Sequence, residues 1–235
     1  MARVRKRLDI VFEDSALIVI NKPPGLLTVP LARREQASSV YDELIDYFRS
    51  KGKRKPLVVH RIDRDTSGLV MFARDGRTQA RLKNQFEQRQ PERVYLAVVE
   101  GHPQPASGTW RDRLVWDSHA LEQRVAGARD PRASEAISDY RVLESFAEAS
   151  LIEVRLQTGK RNQIRVQAGL RGHPLVGERQ YVIGNAPPVV PDFPRQALHA
   201  WTLGFTHPLT NREVRFEAAL PSDFSALLRH LRSQS

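Results

Sequence analysis

Pro56-Leu57-Val58-Val59-His60-Arg61-Ile62-Asp63-Arg64-Asp65-Thr66-Ser67-Gly68-Leu69-Val70-Met71-Phe72 sets two apolar runs around a polar, cation-rich turn. Pro56 to Val59 reads as a short strand entering the turn, and Leu69 to Phe72 as the strand leaving it. Asp63 has arginines on both sides, at 61 and 64. A nucleophilic carboxylate must be ionised, and guanidinium groups close by favour that form. The same cations bind phosphates, so one loop can carry both chemistry and a polyanionic substrate. The plainer reading is a charged turn whose aspartates hydrogen-bond their own backbone. Asp63 with Asp65 also reads as a carboxylate pair for glycoside or phosphodiester hydrolysis, although an i, i+2 spacing in a turn leaves their separation unset.

Outward from this turn, Leu8 to Phe12 alternates apolar and polar residues and Ala16 to Ile20 is continuously apolar, so both read as strands. Asn21-Lys22-Pro23-Pro24-Gly25 is expected to stop the second. Ser39 caps a helix with Val40, Leu44, Tyr47 and Phe48 on one face. A second helix spans Thr78 to Gln88, with Leu82 and Phe86 inward. Strands are expected at Val94 to Val99, Ile137 to Leu143 and Leu151 to Leu156. A helix from Gln163 to Arg171 follows, closed by Gly172. Proline-rich residues 184–194 read as a surface loop. Late strands at Ala197 to Phe205 and Val214 to Phe216 precede a helix capped by Ser222. More strands than helices, without a regular βαβ rhythm, predict an α+β fold with a mixed, largely antiparallel sheet and flanking helices. No repeat or linker divides the chain, so one domain is expected over 13–235 behind a basic segment at 1–12.

Composition narrows the classes. The 235 residues are 40% hydrophobic and 27% charged, which fits a folded globular chain. The net charge of +10 suits a polyanionic partner, and aromatics at 7% speak against extensive base-stacking platforms. With no cysteine there is no disulfide framework, thiolate zinc site, iron–sulfur cluster or thiol nucleophile. The seven histidines show no zinc-binding spacing, so neither metal nor cofactor is expected. No apolar run approaches the ~18 residues of a membrane span, and cytoplasmic location is the default expectation. Arg49, Lys51, Lys53, Arg54 and Lys55 read as a solvated loop, which its place beside the Asp63 turn makes a candidate phosphate anchor.

The ordered string His60-Arg61-Ile62-Asp63 then Thr66-Ser67-Gly68-Leu69 closely resembles the signature loop of the RluA-type pseudouridine synthases. The resemblance continues in family order: Glu13-Asp14 and Ile18 to Gly25; Arg93-Val94-Tyr95-Leu96-Ala97-Val98-Val99-Glu100-Gly101; Leu156 to Lys160 with Gln163-Ile164-Arg165-Val166; Gly172 to Gly177; Ala197-Leu198-His199-Ala200; and His207-Pro208. It covers nearly the whole chain and implies a pseudouridine-synthase-like catalytic domain. It implies further that Asp63 is the catalytic aspartate of a uridine isomerisation that breaks the C1′–N1 bond and rejoins the base through C5. Arg61 holds RNA around the extracted nucleotide, Tyr95 packs on the uracil, and Arg165 pairs with Asp63. Without the resemblance, Tyr95 reads as a core aromatic and Arg165 as a solvated helix residue. The implied partner is ribosomal or transfer RNA, bound by a monomer with no membrane. One departure stands out: the third motif commonly has histidine where this chain has Asn162, preceded by Arg161, and Asn cannot carry a proton. The family's optional amino-terminal RNA-binding module is not matched, so target selection is expected from the catalytic domain. The alternatives are a catalytically inactive RNA-binding or ribosome-assembly relative, and a hydrolase using Asp63 and Asp65.

Overall fold

The structure, a computed structural model, describes residues 8–30, 38–50, 55–127, 129–182 and 193–234. These form two compact units, one built from residues up to Pro91 together with Ala200–Ala219, the other from Glu92–His199 with the chain from Leu220 onward.

In the first unit, β1 (Ile10–Glu13), β2 (Leu17–Lys22) and β4 (Ser67–Ala73) pair antiparallel in that order. The short β3 (Leu57–Val58) also pairs with β4. On the other side lies β10 (Leu198–Thr206), antiparallel to β11 (Glu213–Glu217). β2 and β4 are apolar on both faces because both faces are covered. Ile18, Ile20, Val70 and Phe72 point to one side, where helix α1 (Val40–Ser50) buries Val40, Leu44 and Phe48. Leu17, Val19, Leu69, Met71 and Ala73 point to the other, toward Leu82 of helix α2 (Gly76–Glu87) and toward Leu203 and Phe205. Each of these side chains larger than alanine contributes roughly 1.5–3 kcal/mol on burial, and a slip of one residue would exchange the two sets.

Caps set the helix ends. Ser39 accepts the Asp42 N–H at 3.2 Å and donates to the Asp42 carboxylate at 2.7 Å, as expected of its sequence. The second helix starts two residues ahead of Thr78, because Asp75 accepts both the N–H and the hydroxyl of Thr78. β2 runs on through Asn21 and Lys22, so it is Pro23 that stops it. His207 fastens the turn after β10. Its Nδ1 accepts from the N–H groups of Leu209 and Thr210, which puts the ring proton on Nε2, 2.9 Å from the Asp14 carboxylate.

The second unit is built on antiparallel strands in the order β5 (Glu92–Glu100), β9 (Ala149–Leu156), β8 (Ser134–Ser145), β6 (Ser107–Asp117) and β7 (Glu122–Val125). Helix α3 (Gln163–Leu170) packs Ile164 and Ala168 onto Val154, Leu156 and Trp110. Gly172, at φ +74°, ends it as anticipated. Helix α4 (Ser222–Ser233) contains Ser222 in its first turn rather than using it as the cap; Pro221 holds the cap position. Buried Arg195 ties α4 down through Asp223, with N–O distances of 2.6 and 3.0 Å. The α+β class and the antiparallel sheet are as the sequence predicts.

Candidate active site

Asp63 sits in the first unit, at the start of a turn closed by the Thr66 N–H on the Asp63 carbonyl. The segment from Lys22 to Thr28 grips that turn on both sides of the aspartate. Thr28 donates its hydroxyl to the Ile62 carbonyl at 2.8 Å and accepts the Ile62 N–H at 3.2 Å. Past Asp63, the Arg64 carbonyl receives the Gly25 N–H at 3.0 Å and the Lys22 ammonium at 2.8 Å. Lys22 is fully buried, and its Nζ also donates to the carbonyls of Pro23 and Leu26 at 3.0 and 2.8 Å. A buried ammonium is tolerable when carbonyl dipoles surround it, and here they fix the loop's backbone. His60 stacks on Phe86 at 4.8 Å and accepts the Met71 N–H, anchoring the entry to the turn.

The side chains follow from that backbone. Asp63 is half-buried and Arg61 exposed. Arg64 turns to Asp65 at 3.2 Å, which holds its guanidinium above its ordinary pKa through hydrogen bonding and charge. Gly68 then enters β4 at φ +109°, against the backbone of Ala200.

Tyr95 and Arg165 belong to the second unit. Tyr95 lies on β5 opposite Val154, half-buried against the core cluster. Beside it, Arg93 is buried under Gly159, where any Cβ would stand 2.5 Å from Nη1. Burial pushes the Arg93 guanidinium below its ordinary pKa, with the Tyr95 phenol acting against the shift.

Two buried glutamines hold α3. Gln163 accepts from the Thr158 hydroxyl and Lys160 N–H, and donates to Ile137 O and Ser138 Oγ. One turn later, Gln167 accepts from Ser138 and donates to Trp110 O, Ala136 O and Asp112. Arg165, between them in sequence, engages Glu178 side-on, at 2.6 Å from Nε and 2.7 Å from Nη2. Its guanidinium lies 5.1 Å from the centre of the Tyr181 ring.

Sequence reasoning missed Glu178, although it directly follows the Gly172–Gly177 block. Burial raises its pKa, but Arg165 and the N–H groups of Arg179 and Gln180 outweigh burial and hold it below its ordinary 4.5. The ionised form is therefore the native one. Its stabilisation is complete above the unfolded pKa and is lost as pH falls through the lower folded value. Glu178→Gln removes the carboxylate that Arg165 grips side-on and is expected to cost about 3 kcal/mol. Thermal melts should fall by roughly 6–12 °C near neutral pH. The gap to wild type should narrow as pH drops below 4.5. A pH-independent gap would mean that Glu178 contributes shape rather than charge.

The basic run called at Arg49 to Lys55 lies partly outside the described residues, as 51–54 are not among them; so do the basic residues 1–7 and most of the loop called at 184–194. No helix among the described residues is long and apolar enough to cross a membrane.

A family model described as RNA pseudouridylate synthase matches residues 16–169. The chain is 37% identical over 233 residues to ribosomal large subunit pseudouridine synthase D of Zymomonas mobilis, spanning 95% of this chain and 73% of that one. It is also 37% identical over 228 residues to an uncharacterized RNA pseudouridine synthase of Bacillus subtilis, spanning 96% and 73%. Among solved structures, human RNA pseudouridylate synthase domain containing 4 superposes with a TM-score of 0.80 over 95% of this chain and 92% of that one. At 24% identity that match speaks for the fold alone. With the matched region running from β2 through most of α3, the chain belongs to the RNA pseudouridine synthases, in their RluA-type family.

Proposed function

We propose that this enzyme converts uridines of large-subunit ribosomal RNA to pseudouridine, with Asp63 as the nucleophile. The observation that carries the reading is the grip on the Asp63 turn: both backbone groups of Ile62 and the carbonyl of Arg64 are bound, so the carboxylate is pre-oriented before substrate arrives. The reaction is an isomerisation. The C1′–N1 bond breaks, a C1′–C5 bond forms, the proton on C5 is released and N1 gains one, so mass is unchanged. Residues 13–235 act as one catalytic domain, monomeric and cytoplasmic, with the basic segment 1–12 outside it.

Arg61, exposed beside Asp63, holds the RNA backbone around the extracted uridine; Tyr95 packs against its base. Arg165 supports the ionised Asp63. A guanidinium has five N–H donors, so the side-on grip on Glu178 does not exhaust it. Asp65, held by Arg64, takes no chemical role, and membership of an isomerase family sets the hydrolase reading aside. The relatives named for the ribosomal large subunit favour that RNA over transfer RNA.

The test is to incubate the purified protein with unmodified large-subunit ribosomal RNA and, separately, with transfer RNA, and to map pseudouridine by carbodiimide adducts and primer extension. New stops at one or a few uridines of the ribosomal RNA are expected. Stops confined to transfer RNA would overturn the substrate, and none in either would overturn the activity.

A further inference from the structure

We infer that Arg161, laid on the indole of Trp116, is a stacking subsite for an unpaired base neighbouring the reacting uridine. The inference rests on the reading of this chain as an RNA pseudouridine synthase. The guanidinium carbon of Arg161 is 3.7 Å from the ring centre of Trp116, in van der Waals contact with its face. Arg161 is nonetheless exposed. Other exposed arginines of this unit's sheet face carboxylates: Arg111 with Glu135, Arg124 with Asp117, Arg141 with Glu153. Among the described residues, Arg161 faces no carboxylate within ion-pair distance; its partner is an aromatic plane.

The surroundings hold this pair in place. Trp116 on β6 is directly opposite Gln123 on β7. The Gln123 N–H donates to the Tyr181 hydroxyl at 3.0 Å, and that hydroxyl donates to Asn162 Oδ1 at 3.3 Å. Asn162, next to Arg161 in the chain, adopts a left-handed φ of 53°, a conformation asparagine tolerates better than most residues. A closed circuit thus runs from Trp116 through Gln123, Tyr181 and Asn162 to Arg161. Tyr181 in turn lies under Arg165. Two arginine–aromatic layers therefore flank the start of α3, one on the arginine proposed to serve the active site, the other four residues earlier with its outer face open.

One face of the Arg161 guanidinium is covered by indole. A planar cation with one face packed and the other solvated presents a surface on which an unstacked base can lie. Extracting a uridine from its stack deprives its neighbours of a stacking partner, which supplies such a base. Asn162, next to Arg161, is where this chain departs from the usual third motif, so the subsite bears on which sequence around the uridine is accepted.

The test measures Kd for a single-stranded RNA containing the target uridine and for the same RNA with an abasic site at each flanking position in turn. Wild type should lose about tenfold in affinity at one flanking position. Arg161→Ala should bind the intact RNA about tenfold more weakly and show no further loss with that abasic RNA. Arg161→Lys keeps the charge without the plane, and should behave like Arg161→Ala. An Arg161→Ala protein that binds as wild type, or that stays sensitive to the abasic position, would overturn the subsite. Full recovery by Arg161→Lys would overturn base stacking in favour of a phosphate contact. Pseudouridine formation by wild type in the intact RNA reads the enzymatic assignment separately.

Discussion

Asp63→Asn is expected to lower pseudouridine formation by at least about 10⁴-fold while RNA affinity changes by less than about twofold. The amide nearly matches the carboxylate in shape but has no anionic oxygen to attack with. Its effect on the fold should be small, because the turn is held through backbone groups of Ile62 and Arg64 and by the Thr66 N–H on the residue-63 carbonyl, none of which needs the side chain. Single-turnover conversion with enzyme in excess, beside a filter-binding Kd, makes the comparison. Turnover like that of wild type would remove Asp63 from the chemistry. Loss of rate and affinity together would make it a residue of the binding surface.

Gly68→Ala is expected to be the most destabilising single methyl addition in the first unit. A Cβ there would stand 2.2 Å from the Ala200 carbonyl oxygen and 2.7 Å from Ala200 C and N, at a backbone φ of +109° that alanine rarely adopts. Neither side of the clash is a flexible side-chain end, so β4 or β10 must shift. The expected cost is about 3–5 kcal/mol, read as a fall in melting temperature of roughly 6–20 °C. Gly25→Ala is the built-in control. Gly25 also has positive φ, +81°, but nothing lies within 4 Å of its added Cβ, so only the local strain of about 1 kcal/mol should appear. Equal effects of the two substitutions would show that conformation, and not the approach of Ala200, requires glycine at 68.

Those two glycines also mark where the sequence could be read and where it could not. The turn residues and apolar runs around Asp63 carry local signals, and β2, β4 and α1 appear where those signals put them. β6 and β7 escaped notice because their pattern is not local. Arg111, Asp112 and Arg113 on β6 look like a loop until β8 pairs with them, and β7 has no apolar residue before Val125. Lys22 read as part of a turn, since nothing in a lysine's neighbours announces that its ammonium will be enclosed. Glu178 was missed for a similar reason: its value comes from Arg165, thirteen residues earlier and brought to it by the fold. Arg165, in turn, read as a solvated residue until the resemblance gave it a role. The family motifs named the candidate residues; the carboxylate that grips Arg165 needed three dimensions.

The ammonium of Lys22, ringed by three carbonyl oxygens at 2.8–3.0 Å, resembles a small cation in a dehydrated cage, except that this cation is tethered to the chain. A free ion in such a cage would exchange with the medium and leave when ionic strength or ion identity changed. The tethered one cannot. Contacts to RNA phosphates weaken steeply as salt rises, because counterions compete for them. The enclosed ammonium meets no such competition. The enzyme therefore separates two electrostatic tasks, letting salt tune how tightly RNA is held while the turn bearing Asp63 keeps its shape.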